Sequence, residues 1–313
     1  MRKLMLGVAF TALVSTASYA ETVGVSMALF DDNFLTVLRN GIKSDADKQG
    51  VTVQIEDAQN DVAKQLDQIK NFAASGVDAI IVNPVDTSAT QAMTDAAAAA
   101  KVPLVFVNRE PINVDSLPDG QAFVASNEVE SGTLETKEIC RLLKEEGKSE
   151  ANVYILMGEL SNQAAVQRTK DIHDVKDSDD CGVKLNVIDE QTANWSRDQA
   201  QNLMTNWLST NKPFDAVISN NDEMAIGAIQ AMKAAGVDMK KVVVGGVDAT
   251  QDALVAMQAG DLDVTVFQNA AAQGGGAMDA ALKLAKGQPV EKKVYVPFEL
   301  VTPDNIDKYL QKN

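Results

Sequence analysis

At seven places the chain puts polar side chains at or shortly after the end of a short apolar run. They are Phe30-Asp31-Asp32-Asn33-Phe34, Asn108-Arg109, Arg168, Asn194-Trp195-Ser196-Arg197, Asn220-Asn221-Asp222, Asp248 and Gln268. A hydroxyl group both donates and accepts, so Asp or Asn can take its proton while Arg or Asn donates to its oxygen. Phe and Trp can lie against the C–H face of a ring and keep it from water. The set therefore suits a neutral polyhydroxylated ligand. Asp32 and Asp248 balance Arg109 and Arg168, which argues against phosphorylated ones. At Ser219-Asn220-Asn221-Asp222-Glu223 the polar residues outnumber what a helix start needs, since one side chain is enough to cap a first turn. Asp222 or Asn220 is expected to cap, leaving both ends of the Asn221 amide for the ligand.

Catalytic chemistry finds no matching pattern. The single His, His173, sits in KDIHDVKDSDD and reads as a solvent-facing residue. No nucleophile elbow or Cys–His pairing is present. The crowded carboxylates at 174–182 lack the spacing and terminal Glu of an EF-hand loop and read as an acidic turn. Gly274-Gly275-Gly276 lacks the phosphate-loop spacing and its following Lys, so close helix packing is the expected reason for it. Neither a metal nor a cofactor is implied.

The elements that must position these side chains are legible as alternation. Short β-branched runs fall at 23–26, 51–55, 79–82, 104–107, 123–125, 153–157, 183–188, 216–218, 242–247 and 264–267, mostly separated by stretches with helical spacing. Nearly continuous apolar strands alternating with helices mean α/β architecture, with parallel sheets covered on both faces. Such sheets bind ligands beyond the carboxyl ends of their strands. Ten strands are too many for one tidy sheet, and the chain indicates how they divide. A shift of 137 residues lays 61–83 over 198–220 with seven identities, Asp78/Asp215 and Asn83/Asn220 among them. Gln-Ala-Met recurs at 91–93 and 230–232. Two like-folded lobes are expected.

Residues 1–20 have a basic start, a short apolar stretch and a small-residue end at Ala20, the layout of a cleaved secretory signal. The apolar stretch is too short to span a bilayer, and no Cys follows it to carry a lipid. The mature chain is expected to begin near Glu21, outside the cytoplasm. Losing Arg2 and Lys3 takes the net charge from −16 to −18. So acidic a chain repels nucleic acid and anionic membrane. Cys140 and Cys181 in an exported chain can form a disulfide or remain two buried thiols.

The stretches FDDNFLTVLRNGI, GVDAIIVNPVD, PLVFVNR, AAVQR, NNDEMAIGAIQAMKAAG, VVVGGVDAT and VTVFQN resemble the periplasmic sugar-binding proteins of ABC importers, the ribose/galactose-type group. The likeness covers essentially the whole mature chain. It implies a type I fold of two Rossmann-like lobes: 21–126 with 269–298, and 127–268 with 299–313. Three crossovers would join them, near Ser126-Asn127, Gln268-Asn269 and Phe298-Glu299, and binding would work by hinge closure. The ligand positions of the family fall on Asp32, Phe34, Leu35, Asn108, Arg109, Arg168, Trp195, Asn221, Asp248 and Gln268. Departures from the ribose pattern at Asp32, Leu35, Asn108 and Trp195 count against ribose itself. NWSRDQAQNLMTNWL with FDAVISNNDEMAIGAIQ is similar to the inositol- and rhizopine-binding branch. The resemblance implies a periplasmic, monomeric receptor for a cyclic polyol, with myo-inositol the first candidate and ribose or another pentose or hexose the alternative. An ABC permease in the inner membrane would be its partner, and a chemoreceptor is compatible with the same role. Phe34 and Trp195 would stack on the ring from opposite lobes. With Cys140 and Cys181 both in the second lobe, a disulfide between them is expected. A sugar-responsive regulator would need an N-terminal DNA-binding helix pair and basic charge, and neither is present. An exported carbohydrate-active enzyme would need two closely spaced carboxylates and an acid of raised pKa, for which Asp32 and Asp248 across the cleft are the candidate pair.

Overall fold

In the computed structural model residues 20–312 are described. The expected signal segment, up to Tyr19, lies outside the described residues.

The first five strands are β1 (Thr22–Met27), β2 (Thr52–Asp57), β3 (Ala79–Val82), β4 (Leu104–Val107) and β5 (Gln121–Ala125). Between them run helices α1 (Asn33–Gln49), α2 (Val62–Ser75) and α3 (Thr90–Ala100). In α1 the buried side chains are Phe34, Leu35, Leu38, Ile42 and Ala46, a stripe at helical spacing. Asp32 caps its start, and Gly50 ends it at a φ of 72°, where a residue without Cβ pays no steric penalty. Strands β3, β4 and β5 are buried along their whole length, as expected where helices cover both faces of a parallel sheet.

The chain then builds α4 (Glu128–Glu145), β6 (Glu150–Met157), α5 (Gln163–Lys176), β7 (Lys184–Thr192), α6 (Arg197–Ser209), β8 (Ala216–Ser219), α7 (Asp222–Ala234), β9 (Val243–Gly245), α8 (Gln251–Gln258) and β10 (Thr265–Phe267). It returns through α9 (Ala270–Ala285) and β11 (Lys293–Tyr295), and crosses once more to β12 (Glu299–Val301). The result is a six-stranded sheet in the order β11-β5-β4-β3-β1-β2 and a four-stranded one in the order β7-β6-β8-β9. All pairings within these two sheets are parallel.

Strands β11 and β12 were not legible as apolar runs. Each has three residues, with Pro297 between them, and β12 pairs antiparallel with β10 in a two-stranded ribbon apart from the two parallel sheets. The glycine run is explained by α9 lying on α1. A Cβ on Gly274 would sit 2.7 Å from the backbone of Leu38 and Ile42, and one on Gly41 would sit 2.9 Å from Ala271.

The internal similarity has a structural meaning. Asp78 accepts from the Thr22 backbone N–H at 2.7 Å, and Asp215 accepts from Asn152 at 2.7 Å. Each carboxylate thus ties the start of its strand to the neighbouring strand. At the other end Asn83 Oδ1 accepts from Ala28 N and Asn220 Oδ1 from Gly158 N. The two halves repeat the same pair of strand-edge clasps. In the four-stranded half, Cys140 on α4 and Cys181 just before β7 form a disulfide, with Cα atoms 5.1 Å apart. Tyr154 stacks on Trp207 there at 4.4 Å between ring centroids.

Candidate functional site

The carboxyl ends of the two sheets face each other across a cavity of about 390 Å³, measured with its mouth. All ten side chains singled out in the sequence line it: Asp32, Phe34, Leu35, Asn108, Arg109, Arg168, Trp195, Asn221, Asp248 and Gln268. Three further residues join them, Glu128, Asn162 and Ala164. The six-stranded half supplies the first five of the ten, from the start of α1 and the end of β4. The four-stranded half supplies the rest, from α5, the β7–α6 loop and the ends of β8, β9 and β10. Phe34 and Trp195 come from opposite halves.

Local geometry aims these groups. Asp32 Oδ1 accepts from Leu35 N at 2.7 Å, so only its other oxygen has no part in the cap. Asn108, Trp195 and Asp248 have φ of 67°, 61° and 124°, backbone that L residues rarely adopt and that collects at functional sites. A Cβ on Gly158 would lie 2.2 Å from the Trp195 ring, so glycine there is what lets the indole reach the cavity. The Trp195 Nε1 is buried with no partner among the described residues.

The polar cluster at 219–223 divides its work differently from the sequence-based expectation. Asn221 is the cap of α7, its Oδ1 accepting from Met224 N at 3.0 Å, which leaves its NH₂ as the end free of that bond. Asp222 is committed elsewhere, accepting from Thr265 Oγ1 at 2.7 Å and Thr250 N at 2.9 Å. Asn220 clasps Gly158 and also accepts from Thr169 Oγ1. Ser219 Oγ donates to Asn221 O at 2.8 Å. The apparent excess is a set of separate ties between strand ends, and Asn221 both caps and faces the cavity.

The charge balance also needs correction. Arg168 Nε and Nη2 donate to Glu128 at 2.8 and 3.1 Å, Nη1 donates to Asn220 O at 2.7 Å, and Nη2 also donates to Gln268 Oε1 at 3.3 Å. Asp248 Oδ1 is 4.0 Å from Nη1. Arg109 Nη1 donates to Pro84 O at 3.0 Å and Val85 O at 3.4 Å, and Glu159 stands 3.8 Å away from across the cleft. Each arginine thus has a glutamate beside it that the sequence reading did not name. Glu128 and Glu159 look like solvated helix-start and loop residues in the sequence, and only packing reveals their partners.

Burial sets the proton affinities. It drives the Asp248 carboxyl well above its usual range, with Arg168 pulling the other way. It raises Asp32 more mildly, against the hydrogen bond from Leu35 N and the charge of Arg109. Burial lowers Arg109, with Glu159 and Asp32 opposing. Burial also works to lower Arg168, but the charge and hydrogen bonds of Glu128 carry it above its ordinary value. His173 is half-exposed, bonded to Glu190 Oε2 at 2.6 Å, and does not line the cavity. Among the described residues no group of three or more His, Cys, Asp or Glu could hold a metal ion. No described helix is long and apolar enough to cross a membrane.

Two α/β halves, three chain crossings and a polar cavity between strand ends define a type I solute-binding protein. The chain belongs to the periplasmic binding protein family, whose domain matches residues 23–289. It is 62% identical, over all of both chains, to a "putative rhizopine-binding protein" of Rhizobium meliloti. An ABC transporter solute-binding protein from Bacillus halodurans, solved with bound myo-inositol, is 38% identical with a TM-score of 0.87, covering 96% of this chain and all of that one. The Caulobacter myo-inositol-binding protein, solved with myo-inositol, is 29% identical with a TM-score of 0.83, covering 93% of this chain and 96% of that one.

Proposed function

We propose that this protein binds a neutral cyclic polyol, myo-inositol or a close relative, and delivers it to an ABC permease of the inner membrane. The observation that carries the proposal is one cavity in which Asp32, Asp248, Asn221 and two arginines surround space bounded by Phe34 and Trp195. Equatorial hydroxyls find acceptors and donors around the rim, while the ring faces meet the aromatics. The similarity to proteins solved with myo-inositol supports the same reading.

Hinge closure would move residues 21–126 with 269–298 against 127–268 with 299–313, about the crossings near Ser126-Asn127, Gln268-Asn269 and Phe298-Glu299. The contacts between halves fit a closed arrangement: Asn33 Nδ2 donates to Glu223 at 2.9 Å, and Thr87 N donates to Ser161 O at 3.0 Å. In this reading the mature protein begins after Ala20, works as a monomer in the periplasm, and performs no catalysis. A chemoreceptor could dock on the same closed form.

The test is thermal unfolding with myo-inositol, ribose, galactose and xylose, followed by calorimetry. A ligand present at a hundred times its Kd stabilises the native state by about 2.7 kcal/mol, so myo-inositol is expected to raise Tm most. A larger shift with ribose moves the assignment to pentoses, no shift with any of them removes the polyol reading, and turnover of a bound sugar overturns the non-enzymatic one.

A further inference from the structure

A buried arginine in a ligand cavity is ordinarily an anion receptor, because its planar fork matches a carboxylate with two parallel hydrogen bonds. Arg168 cannot act this way. Its fork, Nε and Nη2, already holds Glu128 at 2.8 and 3.1 Å. Of the five N–H groups a guanidinium carries, those two, the Nη1 bond to Asn220 O and the second Nη2 bond to Gln268 account for four. One Nη1 hydrogen remains, on the nitrogen that lies 4.0 Å from Asp248.

Glu128 is itself held in place. It is the first residue of α4, and Ser131 Oγ donates to its backbone oxygen at 2.9 Å and to its Oε2 at 3.1 Å. Its partner is on α5, in the same half of the molecule, so the pair does not depend on the two halves coming together. The other arginine is arranged otherwise. Arg109 meets its glutamate only across the cleft, at 3.8 Å.

We propose that Glu128 sets the charge selectivity of the cavity: by occupying the fork of Arg168 it excludes ring ligands that carry a carboxylate and reserves the site for neutral ones. Glu128 is a positioning and selectivity residue that acts through Arg168. An acidic ligand would meet Glu128 with no free bidentate donor on Arg168 to compensate, and bringing like charges together in a buried site is costly. Without the Glu128 charge, the fork becomes available and the local balance shifts by one positive charge. The idea rests on the polyol reading for the identity of the neutral ligand.

Calorimetry with matched pairs decides it: glucose with glucuronate, and galactose with galacturonate, which differ only in a CH₂OH or a carboxylate, with myo-inositol as reference. Wild-type protein is expected to reject both uronates. Glu128→Gln keeps the shape, and its uronate-to-neutral affinity ratio is expected to rise at least about tenfold, which corresponds to about 1.4 kcal/mol. Glu128→Asp retains the charge and is expected to keep the wild-type ratio, so it tests the idea even should Glu128→Gln not fold. Adding Arg168→Gln to Glu128→Gln is expected to abolish any uronate binding gained. An unchanged ratio in a folded Glu128→Gln, uronate acceptance by Glu128→Asp, or tight uronate binding by wild type each overturns the proposal. Should wild type bind none of the neutral compounds, the polyol reading fails on that arm alone. The uronate arm still supports the selectivity role if only Glu128→Gln binds, and overturns it if neither protein does.

Discussion

The two arginines of the cavity show how differently the two halves are finished. Arg168 is dressed within its own half by Glu128, Asn220 and Gln268. Arg109 leans on the carbonyls of Pro84 and Val85 and finds its carboxylate only across the cleft. A guanidinium wired into one half is rigid before any ligand arrives, whereas one that needs the other half is completed by closure. On the proposed hinge closure, the four-stranded half is the preassembled part of the site, and the six-stranded half is the part that closure would finish.

The largest expected effect separates the arginines. Arg168→Met leaves Glu128 buried without its counter-charge, and breaking a buried pair on one side costs about 3–5 kcal/mol. Arg109→Met leaves Glu159, whose side chain is 21% exposed and keeps access to water, so its stability loss is expected to be less than half as large. Both variants should lose polyol binding. Calorimetric unfolding of the unliganded proteins checks the difference, and equal losses would erase the distinction between the halves.

Asn221 gives a sharper probe of the preassembled half, because it caps α7 and faces the cavity with one side chain. Removing its NH₂ from a closed, dry site costs roughly 1–3 kcal/mol, or about tenfold to a hundredfold in affinity. Asn221→Ala should also lose about 1 kcal/mol of stability with the cap. Asn221→Ser restores a capping oxygen without the amide, so it should bind as weakly as the Ala variant while melting like wild type. Binding that recovers in the Ser variant would return Asn221 to a purely capping role.

How much of this was legible depends on the range of the interaction. The alternation of apolar strands and helices declared the α/β fold because each element carries its own periodicity. The strand ends, where parallel sheets gather their loops, marked most of the cavity's polar side chains, but the full set of ten, Leu35 included, came from the family resemblance. What stayed hidden were partnerships between elements far apart in sequence. Glu128 and Arg168 are separated by 40 positions, and nothing in EVESGTLETKEIC marks its first residue as buried. The choice of cap among Asn220, Asn221 and Asp222 was equally closed to inspection, since all three types cap well and only the positions of Gly158 and Thr265 assign the others. Strands β11 and β12 were missed because three-residue strands beside a proline carry too few residues to show a period.

Buried acids distinguish the halves again. In the four-stranded half, burial lifts Asp222 to about 7 and Asp171 to about 7, and drives Glu135 well above its usual range. In the six-stranded half Asp32 is raised by burial. A carboxyl whose pKa is higher folded than unfolded holds its proton more tightly when folded. Its stabilisation is therefore full below the unfolded pKa near 4 and is lost as pH rises through the folded value. Unliganded protein should accordingly melt higher near pH 5 than near pH 8, losing about 1.4 kcal/mol per pH unit for each such proton within its window. Asp222→Asn should flatten the profile. Where calorimetry resolves two transitions, the one belonging to the four-stranded half should move more, and a larger movement of the other would contradict the comparison.

The smallest expected effect tests whether the halves separate at all. Thr87, in the six-stranded half, does not line the cavity, yet its Oγ1 donates to Ser161 O at 3.1 Å and accepts from Gln163 N at 3.1 Å. Thr87→Val preserves the shape and removes both bonds, leaving the Gln163 N–H without that partner only while the halves are together. An intramolecular hydrogen bond contributes about 0.5–1.5 kcal/mol net. A cost confined to the closed state lowers the population that holds ligand, and so weakens apparent affinity without touching the site. Ligand affinity should fall by about fivefold or somewhat more, the low end for two such bonds because Ser161 O keeps its bond from Thr87 N, while the unliganded melting temperature stays where it was. If unliganded stability falls by the same amount as affinity, the bonds exist with or without ligand, and the six-stranded half is as preassembled as its neighbour.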